Sequence, residues 1–403
     1  MDRIGTRDRV WQHIDDLSDD LWELAVRIHR TPEIAFEEHK AAAWLCEMLE
    51  EGGFEVEQGV GDLETAFRAR HSTGRPGPRV GLLAEYDAIP GLGHGCGHNL
   101  IAAIALGAAL GLAPLKGELP GQLAVLGTPA EEGGGGKIIL LEKGLFEDLD
   151  VAMMVHPGDQ TWALREYLAL TEIDVSFRGR SAHATSSPES GINALDALIQ
   201  TFVALNSLRS CIQDGGYIYG IITEGGVKPN TIPELAVGRF QVRARENEYC
   251  EVLLERLRNC AEGAALATGA EVSFQTVRRP YEAMAANRCL AQAYARHIQS
   301  LGYPVEEPTA GMASTDMGNV SWEIPVLHPH IGITDVPTSL HSRAFVEASQ
   351  SERARRAMLA AAKALAAICL DLWLEPEFYQ AVRKEFGELE TNHEGKGSSH
   401  LQR

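Results

Sequence analysis

The chain has 403 residues, 45% of them apolar, and 36 Lys and Arg against 56 Asp and Glu leave a net charge of −20. That length exceeds one ordinary hydrophobic core and predicts two domains, while the acidic excess excludes a nucleic-acid or anionic-membrane surface, both of which would repel it. No apolar run reaches the roughly 18 to 20 residues that cross a bilayer, and the opening MDRIGTRDRVWQHIDD lacks the apolar core of a secretion signal, so a soluble cytoplasmic protein is expected.

Apolar residues recur at helical spacing over 9–29 (Val10, Ile14, Leu17, Leu21, Leu24, Ile28) and again over 40–51, until Gly52 and Gly53 stop the pattern. Both stretches read as surface helices packed on a sheet. Short β-like pieces fill 54–69, and 70–79 is a polar loop. Three strand-like runs follow at 80–84, 123–127 and 151–155, separated by helical stretches that include the Ala/Leu run 100–113. The first leads to Asp87, Cys96 and His98, the second to Glu131 and Glu132, the third to His156. Three such endings predict a parallel sheet whose carboxyl edge converges on one site. Near Leu168 the texture changes to alternating patterns, TEIDVSFRGRSAH and ELAVGRFQVRARE, around helices at 192–209 and 246–268, as expected of a separate α+β unit. After Arg279 an α/β texture returns, with a helix near 289–301, the loop GMASTDMGN, a strand in PVLHPHIGI, and TSLHSRAFVEA opening a long Ala-rich helix. The expected division is a discontinuous domain of 1–168 and 286–388, an inserted domain of 169–285, and a disordered polar tail of 389–403.

The densest chemistry lies in AEYDAIPGLGHGCGHN, residues 84–99, where carboxylates, histidines and a cysteine share a glycine-rich turn able to fold them towards one point. A lone cysteine is more often a small buried apolar group, and the seven cysteines are scattered without a C-x-x-C pair, which speaks against a disulfide framework. Cys96 two residues before His98 is different: both can reach metal ions, with Asp87 orienting a ligand imidazole from behind. His94 and Glu85 read equally well as solvated loop residues. Glu131 and Glu132 follow Pro129 and precede Gly133 to Gly136, a setting in which one carboxylate binds an ion and the other serves as general base against a water. The succeeding GGGGK is no phosphate loop, because Ile138 stands where that motif requires Ser or Thr. His156 and His341 would each read alone as structural histidines. With Cys96, His98 and Glu132 they make a donor set suited to two adjacent divalent ions bridged by a water. A thiolate favours zinc, and carboxylates with imidazoles also accept manganese.

Taken in series, EYDAIPG, GHGCGHN, TPAEEGGGG, VHPG, GRSAHATSSPESGINALDA, KPNTIPELA, STDMGNVSWEIP and LHSRAFVEA cover nearly the whole chain. In them it resembles the dinuclear metallo-amidohydrolases that include aminoacylase, carboxypeptidase G, the plant auxin-amino acid conjugate hydrolases and the bacterial aminobenzoyl-glutamate hydrolases. The resemblance implies an α/β catalytic domain with a mostly parallel sheet, split by an inserted α+β lid that mediates dimerisation. It implies Cys96, His98, Glu132, His156 and His341 as metal ligands, Glu131 as general base and Asp87 as support for the metal site. His183 in the lid matches a histidine that polarises the substrate carbonyl, often in the partner subunit's site, and Asn230 and Arg243 fall where the lid contributes substrate contacts. Many members carry a histidine two residues before the aspartate matching Asp87, whereas this chain has Glu85 there. That departure points to the branch of the auxin-conjugate and aminobenzoyl-glutamate hydrolases and the β-alanyl-lysine type dipeptidases. The expected protein is a homodimeric hydrolase with two manganese or zinc ions, cleaving the amide of a small N-acyl or N-aroyl amino acid or an unusual dipeptide. Two alternatives stand beside it: hydrolytic deamination of an aromatic amine such as a substituted aminobenzoate on the same site, and a metal- or ligand-binding protein without turnover, which would have no need of Glu131.

Overall fold

A computed structural model of the chain describes residues 3–72, 74–115, 117–307 and 313–397. The chain divides into two compact units, one of Met1–Arg165, Ala285–Gly311 and Asn319–Arg403, the other of Glu166–Met284 and Met312–Gly318. Residues 312–318, expected with the first domain, group with the second: the Leu168 N–H donates to the Ala313 carbonyl (2.7 Å) and Arg243 donates to the Ser314 hydroxyl (3.2 Å).

In chain order the elements are α1 (Arg3–Asp16), α2 (Ser18–Arg30), α3 (His39–Glu51), β1 (Glu55–Gln58), β2 (Phe67–Ser72), β3 (Arg79–Ala84), α4 (His98–Leu112), β4 (Gln122–Gly127), α5 (Gly136–Glu142), β5 (Val151–Met153) and β6 (His156–Gly158). Then come β7 (Ala169–Arg178), β8 (Ala182–His183), α6 (Ala194–Leu208), β9 (Tyr217–Glu224), β10 (Thr231–Ile232), β11 (Leu235–Ala244), α7 (Asn247–Thr268) and β12 (Glu271–Thr276). The last are α8 (Arg288–Ser300), α9 (Met317–Val320), β13 (Val326–Leu327), β14 (His330–Gly332), α10 (Arg343–Ala348), α11 (Glu352–Leu374) and α12 (Pro376–Gly397).

The first unit is built on a sheet of order β1-β2-β4-β3-β5-β13, parallel from β4 through β13 and antiparallel at the β1 and β2 edge. The single periodic run expected over 9–29 is two helices, because Asp19 and Asp20 give α2 an acidic first turn of its own. Both pack on α4 and on each other, and α1 packs on α11 as well. Every residue of α4 is buried, as befits a helix apolar on all sides. Although no run of membrane-spanning length was expected, two stretches are long and apolar enough, His98–Leu115 and Glu352–Leu374. Their most apolar windows are 94% and 83% buried, so protein covers the faces a bilayer would need. The strand expected over 151–155 stops at Met153, and His156 opens β6, which pairs in parallel with β14. The PVLHPHIGI strand is likewise split between β13 and β14, with Pro329, which has no N–H to donate to a ladder, between them. The tail expected to be disordered from 389 continues α12 as far as Gly397, and residues 398–403 lie outside the described residues.

The second unit has a fully antiparallel sheet of order β12-β7-β11-β9. Burial alternates along β7 and β11, and α6 and α7 supply the apolar cover through Leu198, Leu253 and Leu257 against Val175, Phe177 and Phe240. A separate two-stranded piece pairs His183 of β8 with Thr231 of β10.

The core assignment is checked by truncation. Leu106, fully buried in α4, changed to Ala should lower the free energy of unfolding by about 2–5 kcal/mol, whereas Val227→Ala, at a side chain 96% exposed, should stay within about 0.5 kcal/mol in chemical denaturation.

Candidate metal centre

β3 and β4 run side by side with Ala84 opposite Gly127, so the loops that leave them start level and face one another. The first carries Glu85, Asp87, Cys96 and His98 into α4; the second carries Glu131 and Glu132 into α5. At the start of α4, Gly97 holds φ +76° and a Cβ there would lie 2.5 Å from Pro157. Glycine is therefore required at once for the left-handed turn and for the approach of the strand carrying His156.

Three groups of donor atoms, each mutually within 4.8 Å, overlap in this unit: Cys96, His98 and His156; Cys96, Glu132 and His341; His98, Glu131 and Glu132. Cys96, His98 and Glu132 each belong to two of them, which chains the three into one centre with room for more than one cation. The imidazoles are prepared for that role from behind. His98 donates through Nδ1 to Asp87 Oδ1 (2.9 Å), and His156 donates through Nδ1 to the Pro157 carbonyl (2.6 Å), which fixes each ring from behind. His156 Nε2 is 3.4 Å from Cys96 Sγ. His341 holds φ +59°, fixed by its N–H donating to the Gly95 carbonyl (2.9 Å), and its Nε2 reaches 3.3 Å from Glu132 Oε1. Asp87 has a second task, accepting the Glu132 N–H on Oδ2 (2.9 Å). One carboxylate thus aims a donor imidazole and the backbone of a donor carboxylate.

The electrostatics follow from burial and crowding. Burial pushes the Cys96 thiol well above its usual range, with Glu132 adding to it. Burial and then His98 pull His156 down to about 3, so it is the neutral imidazole that offers a lone pair. Burial opposes a charge on His98, but Asp87 and Glu85 outweigh it and raise its pKa well above the ordinary value. Burial likewise works against ionised Glu132 and Asp87, yet His341 and His98 hold the first, and His98 the second, below the usual carboxylate range. Such concentrated negative charge around neutral or polarised nitrogen donors fits divalent cations.

Other expected residues fall elsewhere. Glu85 and His94 are not solvated: each is 1% exposed, Glu85 paired with the buried Lys137 (2.5 Å) and 3.4 Å from His98 Nε2, His94 stacked 6.1 Å from His29. In the second unit, His183 is exposed, its Nδ1 accepting from Thr185, and the neighbouring Asn230 carbonyl accepts the Ala184 N–H. Arg243 stands on β11, donating to Ser314 and Gln241. Sequence reading missed Lys137, set aside with the GGGGK run, and His328 and His330, whose rings lie 5.7 and 4.9 Å from that of His156. It also missed Glu38, fully buried and raised to about 7 by burial and by Asp87.

A sequence model described as peptidase family M20/M25/M40 matches residues 81–364. The chain belongs to that family. Within it, the chain is 38% identical to Xaa-Arg dipeptidase of Mus musculus over 94% of this chain and 91% of that protein. It is 29% identical to one of the p-aminobenzoyl-glutamate hydrolase subunits of Escherichia coli (strain K12), over 93% of this chain and 92% of that protein. Among solved structures it shares the fold of a dinuclear metal binding peptidase of the M20 family from Bacillus subtilis, with TM-score 0.67 and 22% identity over 89% of this chain and 99% of that one. This M20 protein is a hydrolase acting on C–N bonds, and its fold and donor set together imply divalent metal ions.

Replacing Asp87 by Ala removes both the His98 and the Glu132 contact. It should weaken metal retention by about 10–100-fold in competition with a chromogenic chelator, and retention equal to the parent protein would sink the aiming role.

Proposed function

We propose that this M20 hydrolase cleaves the amide of a small dipeptide or N-acyl amino acid, with a dipeptide ending in arginine or another basic residue as the preferred class. The observation that carries the reading is the Glu131–Glu132 pair meeting Cys96, His98, His156 and His341 donors at one strand edge. The preference for a basic end is supported by the 38% identity, over nearly full length, to a dipeptidase named for Xaa-Arg. When bound, two divalent ions such as zinc or manganese supply Lewis-acid polarisation of the carbonyl and a water acidic enough to react near neutral pH. Cys96, His98, Glu132, His156 and His341 hold them. Glu131, beside Glu132 and within the same donor group as His98, takes the proton from the attacking water and returns it to the leaving amine. Asp87 keeps His98 and Glu132 in register for that transfer.

The test is a panel of alanyl-arginine, β-alanyl-lysine, aminobenzoyl-glutamate and an aminobenzoate on protein loaded with zinc or manganese. Free amino acid should be released, fastest from alanyl-arginine, and release should vanish with chelator; ammonia as the sole product would overturn amide cleavage. Glu131→Gln should retain its metal and lose about 10²–10⁴-fold in kcat. Undiminished turnover in the metal-loaded variant removes Glu131 from the reaction.

We infer, too, that the protein assembles through its second unit as a dimer. Among the described strands β9 pairs with β11 alone, and it exposes Tyr217, Tyr219, Ile221 and Ile222 by 43–64%. An edge with this much apolar surface suits pairing with a second copy. Sedimentation should give a dimer that Ile221→Lys shifts towards monomer, and a monomeric parent protein would overturn the inference.

A further inference from the structure

Glu131 and Glu132 leave a turn whose preceding residue is strained. Ala130 holds φ +62°, a left-handed conformation that a residue with a Cβ disfavours. Its carbonyl accepts the N–H groups of Gly134 (2.8 Å) and Gly135 (2.9 Å), which closes the turn behind it. Its own N–H donates to Oε1 of Glu38 (2.9 Å), a residue brought from the start of α3. The other oxygen, Oε2, accepts the Thr65 hydroxyl (2.9 Å). The Glu38 side chain is fully buried, and both of its oxygens bind groups other than the metal donors. Nearby, Phe36 lies so close to Gly134 that a Cβ there would be 2.3 Å from its ring, so the 36–38 segment and the turn are fitted to each other at two points. Taking a carboxylate out of water is costly unless it is bonded, and the raised pKa of Glu38 records that cost.

We propose that Glu38 is a positioning residue: its carboxylate locks Ala130 in the left-handed conformation and so aims the Glu131 and Glu132 side chains at the metal centre. The effect on turnover rests on Glu131 carrying the proton; the effect on metal retention, exerted through Glu132, does not. A group near the reacting atoms displaced by about 1 Å can lower the rate by about 10²-fold. Glycine takes φ +62° without the Cβ penalty and so would hold the turn without the clasp.

The experiment compares Glu38→Ala, Glu38→Gln and the double variant Glu38→Ala/Ala130→Gly in the full-length, zinc-loaded protein. It reads kcat and KM on whichever panel substrate is turned over fastest, and zinc release to a chromogenic chelator. Glu38→Ala should lower kcat by about 10–100-fold with KM within about threefold, and speed zinc release about tenfold. The added Ala130→Gly should recover at least about tenfold of the lost kcat and slow zinc release again, since the glycine restores the turn. Glu38→Gln, whose amide oxygen still accepts the Ala130 N–H, should stay within about threefold of the parent on both measures. A Glu38→Ala protein indistinguishable from the parent in both, or a double variant no better than Glu38→Ala, overturns the proposal. Should Glu38→Ala fail to fold, Glu38→Gln decides: parental kcat and zinc release support the clasp, and loss of both overturns it. Glu131→Gln in parallel separates the two readings, because turnover surviving there defeats the proton-carrier role while the zinc-release arm continues to judge Glu38.

Discussion

Glu38, Glu85, Asp87, Glu131 and Glu132 are gathered at the ends of two neighbouring parallel strands, three of them at most 1% exposed. Carboxylates that have lost water must be bonded or paired where they stand. The arrangement of the site is a set of answers to that demand. Glu85 takes the Lys137 ammonium, Asp87 takes the His98 imidazole and the Glu132 N–H, and Glu38 takes the Thr65 hydroxyl and the Ala130 N–H. Glu132 keeps His341 within reach and shares Cys96 and His98 with the rest of the donor set.

These answers fall at three points of a single stretch of chain. Ala130, Glu132 and Lys137 are each fastened by a different buried carboxylate, two from the end of β3 and one from the start of α3. The loop that carries the candidate base and a candidate ligand is therefore placed by the charges around it more than by its own sequence, in which glycine predominates. Rigid aim on a flexible segment is what proton transfer at a fixed distance requires. The parallel register, Ala84 beside Gly127, brings the fastening groups and the loop to the same level of the sheet.

Much of this was legible in the residues. Val80 to Ala84 and Leu123 to Gly127 are short apolar runs ended by polar residues, and the period of their side chains leaves little choice but buried parallel strands with chemistry at their carboxyl ends. Glu131 and Glu132 stand out because no apolar pattern places them on a solvated helix face. Glu38 did not stand out. In FEEHK it looks like one more charge before a helix, and only the fold shows Glu37 at the surface and Glu38 turned under Ala130. Lys137 was hidden by its glycines, and His328 and His330 by a strand pattern that read as ordinary core. The split of the last strand at Pro329 and the membership of residues 312–318 depend on pairings between distant segments, which local periodicity does not encode.

The turn from Pro129 to Gly136 returns on itself so tightly that a Cβ on Gly136 would lie 1.9 Å from the Pro129 carbonyl oxygen. Its two ends are in contact and its interior is fastened at Ala130 and Glu132, so it behaves as a closed ring of fixed circumference. A ring of that kind cannot gain or lose a residue without detaching a carboxylate from the centre. Side-chain replacement at its glutamates leaves the ring closed, whereas an insertion or deletion opens it.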